Sequence, residues 1–315
     1  MKALYFIIYI ALAYIFGIVS ISLLSGIAGA HLILHLIITA AGIGYFRKNV
    51  KWRGWIGVVS LLLLVVMASV PDSMRSNLLI QEILFLSLLI YTKANRIKIS
   101  TFLHLNKTDF LHMPLLLVES LLLYYMAYFV NTCSLLFFKN ILTESMEIFA
   151  ANFPASVLII CICPAITEEM IYRGVLLKSI PGPDGKGILI SAVLFGIWHL
   201  NMNQFCYAFF CGLLLAVMAV RTGNLLYTMI VHLLFNFYNL VVFSADRYPA
   251  IKQAVTVLGK GSSIYSPVLL AEDGSFMPAA FFRGLSATLL TLVLFLMIIR
   301  VMTYKKDGPA CPEEG

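Results

Sequence analysis

The chain has 315 residues, 61% of them apolar and 12% charged, with a formal net charge of +7. Soluble globular chains usually carry about 25% charged residues, so this composition excludes an ordinary water-soluble enzyme. The positive excess fits the cytoplasmic loops of a membrane protein held against anionic lipid, and it does not imply nucleic-acid binding.

A membrane-spanning helix needs about 20 mostly apolar residues. Ten such runs are predicted, near residues 4–24, 27–46, 54–70, 78–92, 113–133, 153–177, 187–201, 205–221, 223–243 and 279–302. The expected fold class is therefore all-α, a polytopic transmembrane bundle of eight to ten helices. The fourth and seventh runs are short, which suits tilted, broken or partly buried elements. If the N-terminus is cytoplasmic, sixteen Lys and Arg fall inside and six outside. The positive-inside rule then predicts both termini in the cytoplasm, and the expected location is the cell membrane of a prokaryote, as a multi-pass protein.

The first run is too long for a signal-peptide core and reads as a retained helix. The basic stretch from Lys93 to Phe110 suits an interfacial element or an ordinary connecting loop. Residues 244–278 lack a regular apolar period and read as an external loop. The six cysteines lie mostly in apolar runs and read as buried free thiols; Cys311 is fifth from the end, one place off a prenylation box. His31 and His35 on the second helix and Glu119 on the fifth read as interhelical hydrogen-bonding groups, and Glu82 as a residue near an outer boundary.

Ionisable chemistry is concentrated between 164 and 239. In TEEMIYRG (167–174), adjacent carboxylates lie within an apolar run, and such groups usually line a bundle interior or a water-filled cavity. Arg173 follows Glu169 at the i,i+4 spacing that pairs them on one face, while Glu168 points about 100° away. Glu169 would then be neutralised and Glu168 left free as a base. FGIWH puts Phe195 and His199 four residues apart on the seventh helix, with Asn203 another turn on. HLLFN puts His232 and Asn236 on one face of the ninth. Tyr172 and Trp198 flank these motifs as cavity-shaping aromatics.

Two chemistries fit these residues. Glu168 and His199 would polarise a water while His232 and Asn236 stabilise the oxyanion, with no cofactor; or Glu168, His199 and His232 would hold zinc with water in the fourth position. The spacing is not that of HExxH.

Together, EExxxR (Glu168, Glu169, Arg173), FxxxH (Phe195, His199) and HxxxN (His232, Asn236) resemble the CAAX protease and bacteriocin-processing family of intramembrane endopeptidases, over roughly 110–243. The resemblance implies Glu168 as catalytic base, Glu169 and Arg173 as its support, His199 helping to hold the water, and His232 with Asn236 as the oxyanion site. It also implies a peptide or protein substrate at the bilayer, prenylated CAAX-like or bacteriocin-type. It divides the chain into accessory helices (1–110), a catalytic helical core (111–243), the external loop (244–278) and a C-terminal helix and tail (279–315). Two rival functions use the same polar cluster: a non-catalytic peptide-binding or immunity protein, and a proton- or ion-coupled transporter. The absence of an internal repeat weighs against the transporter.

Overall fold

The computed structural model describes residues 2–303 apart from 25, 28, 99–107, 142, 181–184, 250, 254 and 257–266. Half of the Lys93–Phe110 stretch, part of the 244–278 loop and Cys311 therefore lie outside the described residues.

The helices are α1 (Lys2–Leu24), α2 (Ala30–Tyr45), α3 (Val50–Ser69), α4 (Asp72–Ala94), α5 (Met113–Ser134), α6 (Thr143–Ala151), α7 (Phe153–Ser179), α8 (Gly185–Trp198), α9 (Met202–Thr222), α10 (Leu225–Ser244) and α11 (Pro278–Thr303). Among the described residues, eight are long and apolar enough to cross a membrane, and α2 and α8 are shorter apolar helices. The chain is an integral membrane helical bundle. Its broad lipid-facing surface carries exposed Leu, Ile, Val and Phe on α1, α3 and α11, as expected where hydrocarbon replaces water.

Two length expectations change. The fourth run, expected to be short, is a 23-residue helix, whereas the second has only 16 residues. Apolar counting missed the first turns of α4 because they are polar: Asp72 lies in the first turn, Arg75 bonds Asp72 at 2.7 Å, and Asn77 bonds the Ser73 carbonyl at 3.0 Å. α6, a nine-residue helix before α7, was not expected from the sequence.

Helix α7 is not a regular α-helix. Pro164 has no N–H to offer the Ile160 carbonyl, and the helix widens into a π turn over Val157–Ile162; a second π turn runs from Met170 to Leu176. Such bulges in α-helices often mark functional positions, and these two bracket Glu168 and Glu169.

Three apolar clusters organise the packing. One joins Phe6 and Ile10 of α1 and Leu84 and Leu88 of α4 to Met170, Tyr172 and Val175 of α7 and Phe195 of α8. A second joins α5, α9, α10 and α11 through Leu116, Leu215, Val231 and Phe295. A third joins α2 and α4 to α7 and α10. Helix α7 thus packs against α4, α8 and α10.

The N-terminal helices also hold polar ties. His35 Nδ1 lies 2.7 Å from Glu82 Oε2, and its Nε2 lies 2.9 Å from Ser60 Oγ. His31 Nε2 lies 3.0 Å from Ser76 Oγ. The expectation of interhelical hydrogen bonding thus holds for both histidines. It fails for Glu119, whose two carboxylate oxygens are buried with no hydrogen-bond partner among the described residues. Glu82, expected at a boundary, lies ten residues into α4 because the helix begins earlier than its apolar run. Among the described cysteines, Cys133, Cys161, Cys163, Cys206 and Cys211 are free thiols.

Candidate active site

The site is built on α7, α8 and α10. Glu169, Arg173 and Glu168 are 0%, 1% and 7% exposed, so their charges must be balanced inside the protein. Arg173 Nη1 donates to Glu169 Oε1 at 2.7 Å, confirming the i,i+4 pair expected from the sequence. Its Nη2 donates to the Gly212 carbonyl of α9 at 3.1 Å, and its guanidinium lies 4.4 Å from the centre of the Phe195 ring.

His232 lies between the two carboxylates. Its Nδ1 is 2.9 Å from Glu169 Oε1 and its Nε2 is 3.9 Å from Glu168 Oε2. An ionised carboxylate only accepts, so Nδ1 carries a hydrogen and Nε2 faces Glu168. Glu169 thus takes two donors on one oxygen, while Glu168 has neither Arg173 nor a close bond to His232. The environments separate the two carboxylates as the spacing of the motif predicts.

Helix α10 holds His232 in register from its first turn. Helix α9 ends on Gly223 in the left-handed region (φ 62°), and Asn224 caps α10 by accepting from the Leu226 N–H at 3.0 Å. His232 follows two turns later, and half-buried Asn236 one turn beyond on the same face.

His199 lies just past the end of α8. Its Nδ1 donates to the Phe195 carbonyl at 2.9 Å, which can only accept, so the neutral ring keeps its lone pair on Nε2. The next residue, Leu200, adopts φ 52°, a conformation that non-glycine residues rarely take. The chain turns there and starts α9 at Met202. Asn203, expected another turn along the helix of His199, is therefore on the next helix. It is 1% exposed and ties α9 to α5 by donating to Asn131 Oδ1 (3.0 Å) and Ser134 Oγ (2.6 Å).

Phe195 is the hub of the site. Its ring lies edge-on to Tyr172, His199 and His232 with centroids 5.2, 5.1 and 5.9 Å away, favourable geometry for aromatic rings. Trp198 packs on Tyr172 at 6.2 Å and on Tyr14 of α1 at 4.1 Å. Tyr14 was missed by sequence reasoning, since a tyrosine 150 residues from the motifs carries no local signal.

Close packing of α8 on α9 sets these positions. A Cβ at Gly212 would lie 3.0 Å from Phe195 Cδ1 and 3.2 Å from the Ala192 backbone. Gly212→Val is accordingly expected to push the helices apart and to destabilise by about 1–3 kcal/mol, with loss of site function. Thermal unfolding in detergent checks the first, and the cleavage assay below the second.

No three His, Cys, Asp or Glu side chains among the described residues are gathered as a metal's ligand set. His232 Nδ1 is committed to Glu169, and Glu168 lies 3.9 Å from His232 Nε2. The zinc reading of Glu168, His199 and His232, and with it the metalloprotease expectation, finds no support in these positions.

The sequence comparison addresses the same segment. Residues 150–238 match the family described as "Type II CAAX prenyl endopeptidase Rce1-like". No curated protein and no solved structure gives a match. The matched stretch begins at the end of α6 and runs into α10, so it contains Glu168, Glu169, Arg173, Phe195, His199, His232 and Asn236, but not α5, which the motif resemblance had included. Over residues 150–238, the helices that build this buried cluster, the chain is similar to the Rce1-like type II CAAX prenyl endopeptidase family.

Proposed function

We propose that the protein is an intramembrane endopeptidase that hydrolyses a peptide bond of a membrane-associated substrate, prenylated CAAX-like or bacteriocin-type, using a Glu168-activated water. The observation that carries this reading is the asymmetry of the adjacent carboxylates: Glu169 is bonded by Arg173 and His232 at 2.7 and 2.9 Å, while Glu168 stands 3.9 Å from the nearest His232 nitrogen. A buried carboxylate held ready but uncommitted is what a general base requires.

In this mechanism His199 holds the water through its free Nε2, and Glu168 takes a proton as the water attacks the scissile carbonyl. The proton then passes from Glu168 to the leaving amine. His232, anchored at Nδ1, turns Nε2 towards the developing oxyanion, and Asn236 adds a donor from the same helix face. With His232 protonated, Glu168 and Glu169 balance Arg173 and His232, and the buried cluster is neutral. Every step of this reading is carried by the side chains of Glu168, His199, His232 and Asn236.

The test is cleavage of a fluorogenic prenylated peptide library by the purified full chain in detergent, compared with Glu168→Ala and His199→Ala, with and without a chelator. Loss in both variants with chelator-resistant wild-type activity is the expected result. Chelator-sensitive activity restored by zinc would overturn the metal-free mechanism. Absence of cleavage by folded wild type would favour the peptide-binding function, and Glu168-dependent ion flux in proteoliposomes the transporter.

We further infer that both termini are cytoplasmic, on the Lys and Arg distribution, in a protein of a prokaryotic cell membrane. Cysteine labelling of single-Cys variants at each terminus of intact cells tests it, and external labelling would refute it.

A further inference from the structure

Helix α4 lies outside the matched family segment, yet it packs directly on α7. Leu84 and Leu88, both 0% exposed, share the apolar cluster of Met170, Ile171 and Tyr172, with Phe85 packed against it. Gln81, Leu84, Phe85 and Leu88 stand at i, i+3, i+4 and i+7, on one face of the helix. Gln81 is the polar member of that face, and its side chain reaches the Glu168 carboxylate.

Successive residues of α4 lock its rotation. Glu82, about 100° further round, bonds His35 of α2 at 2.7 Å. Ile83 packs against α1 at Gly17, where its Cδ1 would lie 3.2 Å from an added Cβ. With Glu82 held by α2 and Ile83 by α1, Gln81 is committed to α7.

We propose that Gln81 is a positioning residue of the peptidase: its amide N–H orients the Glu168 carboxylate and its amide oxygen receives a backbone N–H of the bound peptide. This rests on the endopeptidase function proposed above. An ionised carboxylate accepts and never donates, so the amide nitrogen is the end that faces Glu168. The other end, Gln81 Oε1, is buried with no hydrogen-bond partner among the described residues. Buried acceptors are rarely left so. The attacking water spends its two hydrogens on Glu168 and His199, which leaves the peptide as the donor for Gln81.

The test measures kcat and KM for the best substrate in the library, using the full chain and the variants Gln81→Met, Gln81→Glu and Glu168→Gln, with melting of each recorded. Gln81→Met keeps the length of the side chain and removes both hydrogen bonds. Its kcat/KM is expected to fall about 10- to 100-fold, with kcat lowered and KM raised, unchanged melting and a changed acid limb of the pH–rate profile. Gln81→Glu, a donor only when protonated, is expected to regain activity at the acid end of its profile.

Wild-type kinetics and an unchanged profile in Gln81→Met would overturn the proposal. So would an activity loss that merely tracks lowered melting and that Gln81→Glu repeats at every pH. Glu168→Gln separates the two levels: Glu168-dependent cleavage with a silent Gln81 refutes this inference alone. Wild type without cleavage, or cleavage indifferent to Glu168, refutes the endopeptidase function and this inference with it.

Discussion

Glu168→Gln is expected to leave a folded protein whose cleavage rate is lower by about 10²- to 10⁴-fold, the usual contribution of a positioned general base. Gln has nearly the same volume and keeps a carbonyl oxygen, so the packing of α4, α7 and α10 around the site has no reason to change. It has no basic oxygen with which to take a proton from water. The fall belongs in kcat, with KM little altered, because in the proposed mechanism the group acts on the reacting water rather than on substrate affinity. Glu169→Gln gives the contrasting result. Glu169 accepts from Arg173 and His232, so its loss leaves a buried guanidinium without its carboxylate and is expected to lower melting as well as activity. If the two variants behaved alike, the division of labour between these neighbours would be wrong.

The second large effect is on stability. Arg173→Met is expected to cost about 3–5 kcal/mol, as when one partner of a buried ion pair is removed. Arg173 is 1% exposed, bonds Glu169 at 2.7 Å and the Gly212 carbonyl at 3.1 Å, and covers the Phe195 ring. Met replaces the alkyl stem but leaves the Glu169 carboxylate buried without its guanidinium partner. The double variant Glu169→Gln/Arg173→Met, which removes the stranded charge as well, is expected to melt above Arg173→Met. A double-mutant cycle read by thermal unfolding in detergent measures the coupling. Additive losses would mean that the pair contributes nothing beyond its separate packing.

His199 offers a finer check. Its Nε2 is free because Nδ1 is held by the Phe195 carbonyl, so His199→Gln, which retains an acceptor, is expected to keep more activity than His199→Ala, with both folded. Equal loss in the two would remove the water-holding role.

Much of the molecule was legible in the chain itself, because membrane insertion and helical geometry are local constraints. Twenty apolar residues in succession have few stable alternatives to a spanning helix, so the helical class and nearly all the spans could be read directly. The i,i+4 spacing of Glu169 and Arg173 brings them together whatever the tertiary fold, and the bond is there at 2.7 Å. The same local logic set Glu168 apart and put His232 and Asn236 on one face.

Tertiary structure decided what depends on neighbours far along the chain. It placed His232 Nδ1 on Glu169, 63 residues away, and so determined which imidazole nitrogen is left for chemistry. It ended α8 at Trp198 and turned the chain at Leu200, which carried Asn203 out of the site and into the α5–α9 contact. It also brought Tyr14 and Gln81 to the site from helices with no recognisable motif. Periodicity tells which residues share a face but not which helix that face will meet. That choice is made by the packing of Phe6, Leu84 and Leu88 against α7, and no local stretch of the sequence contains it.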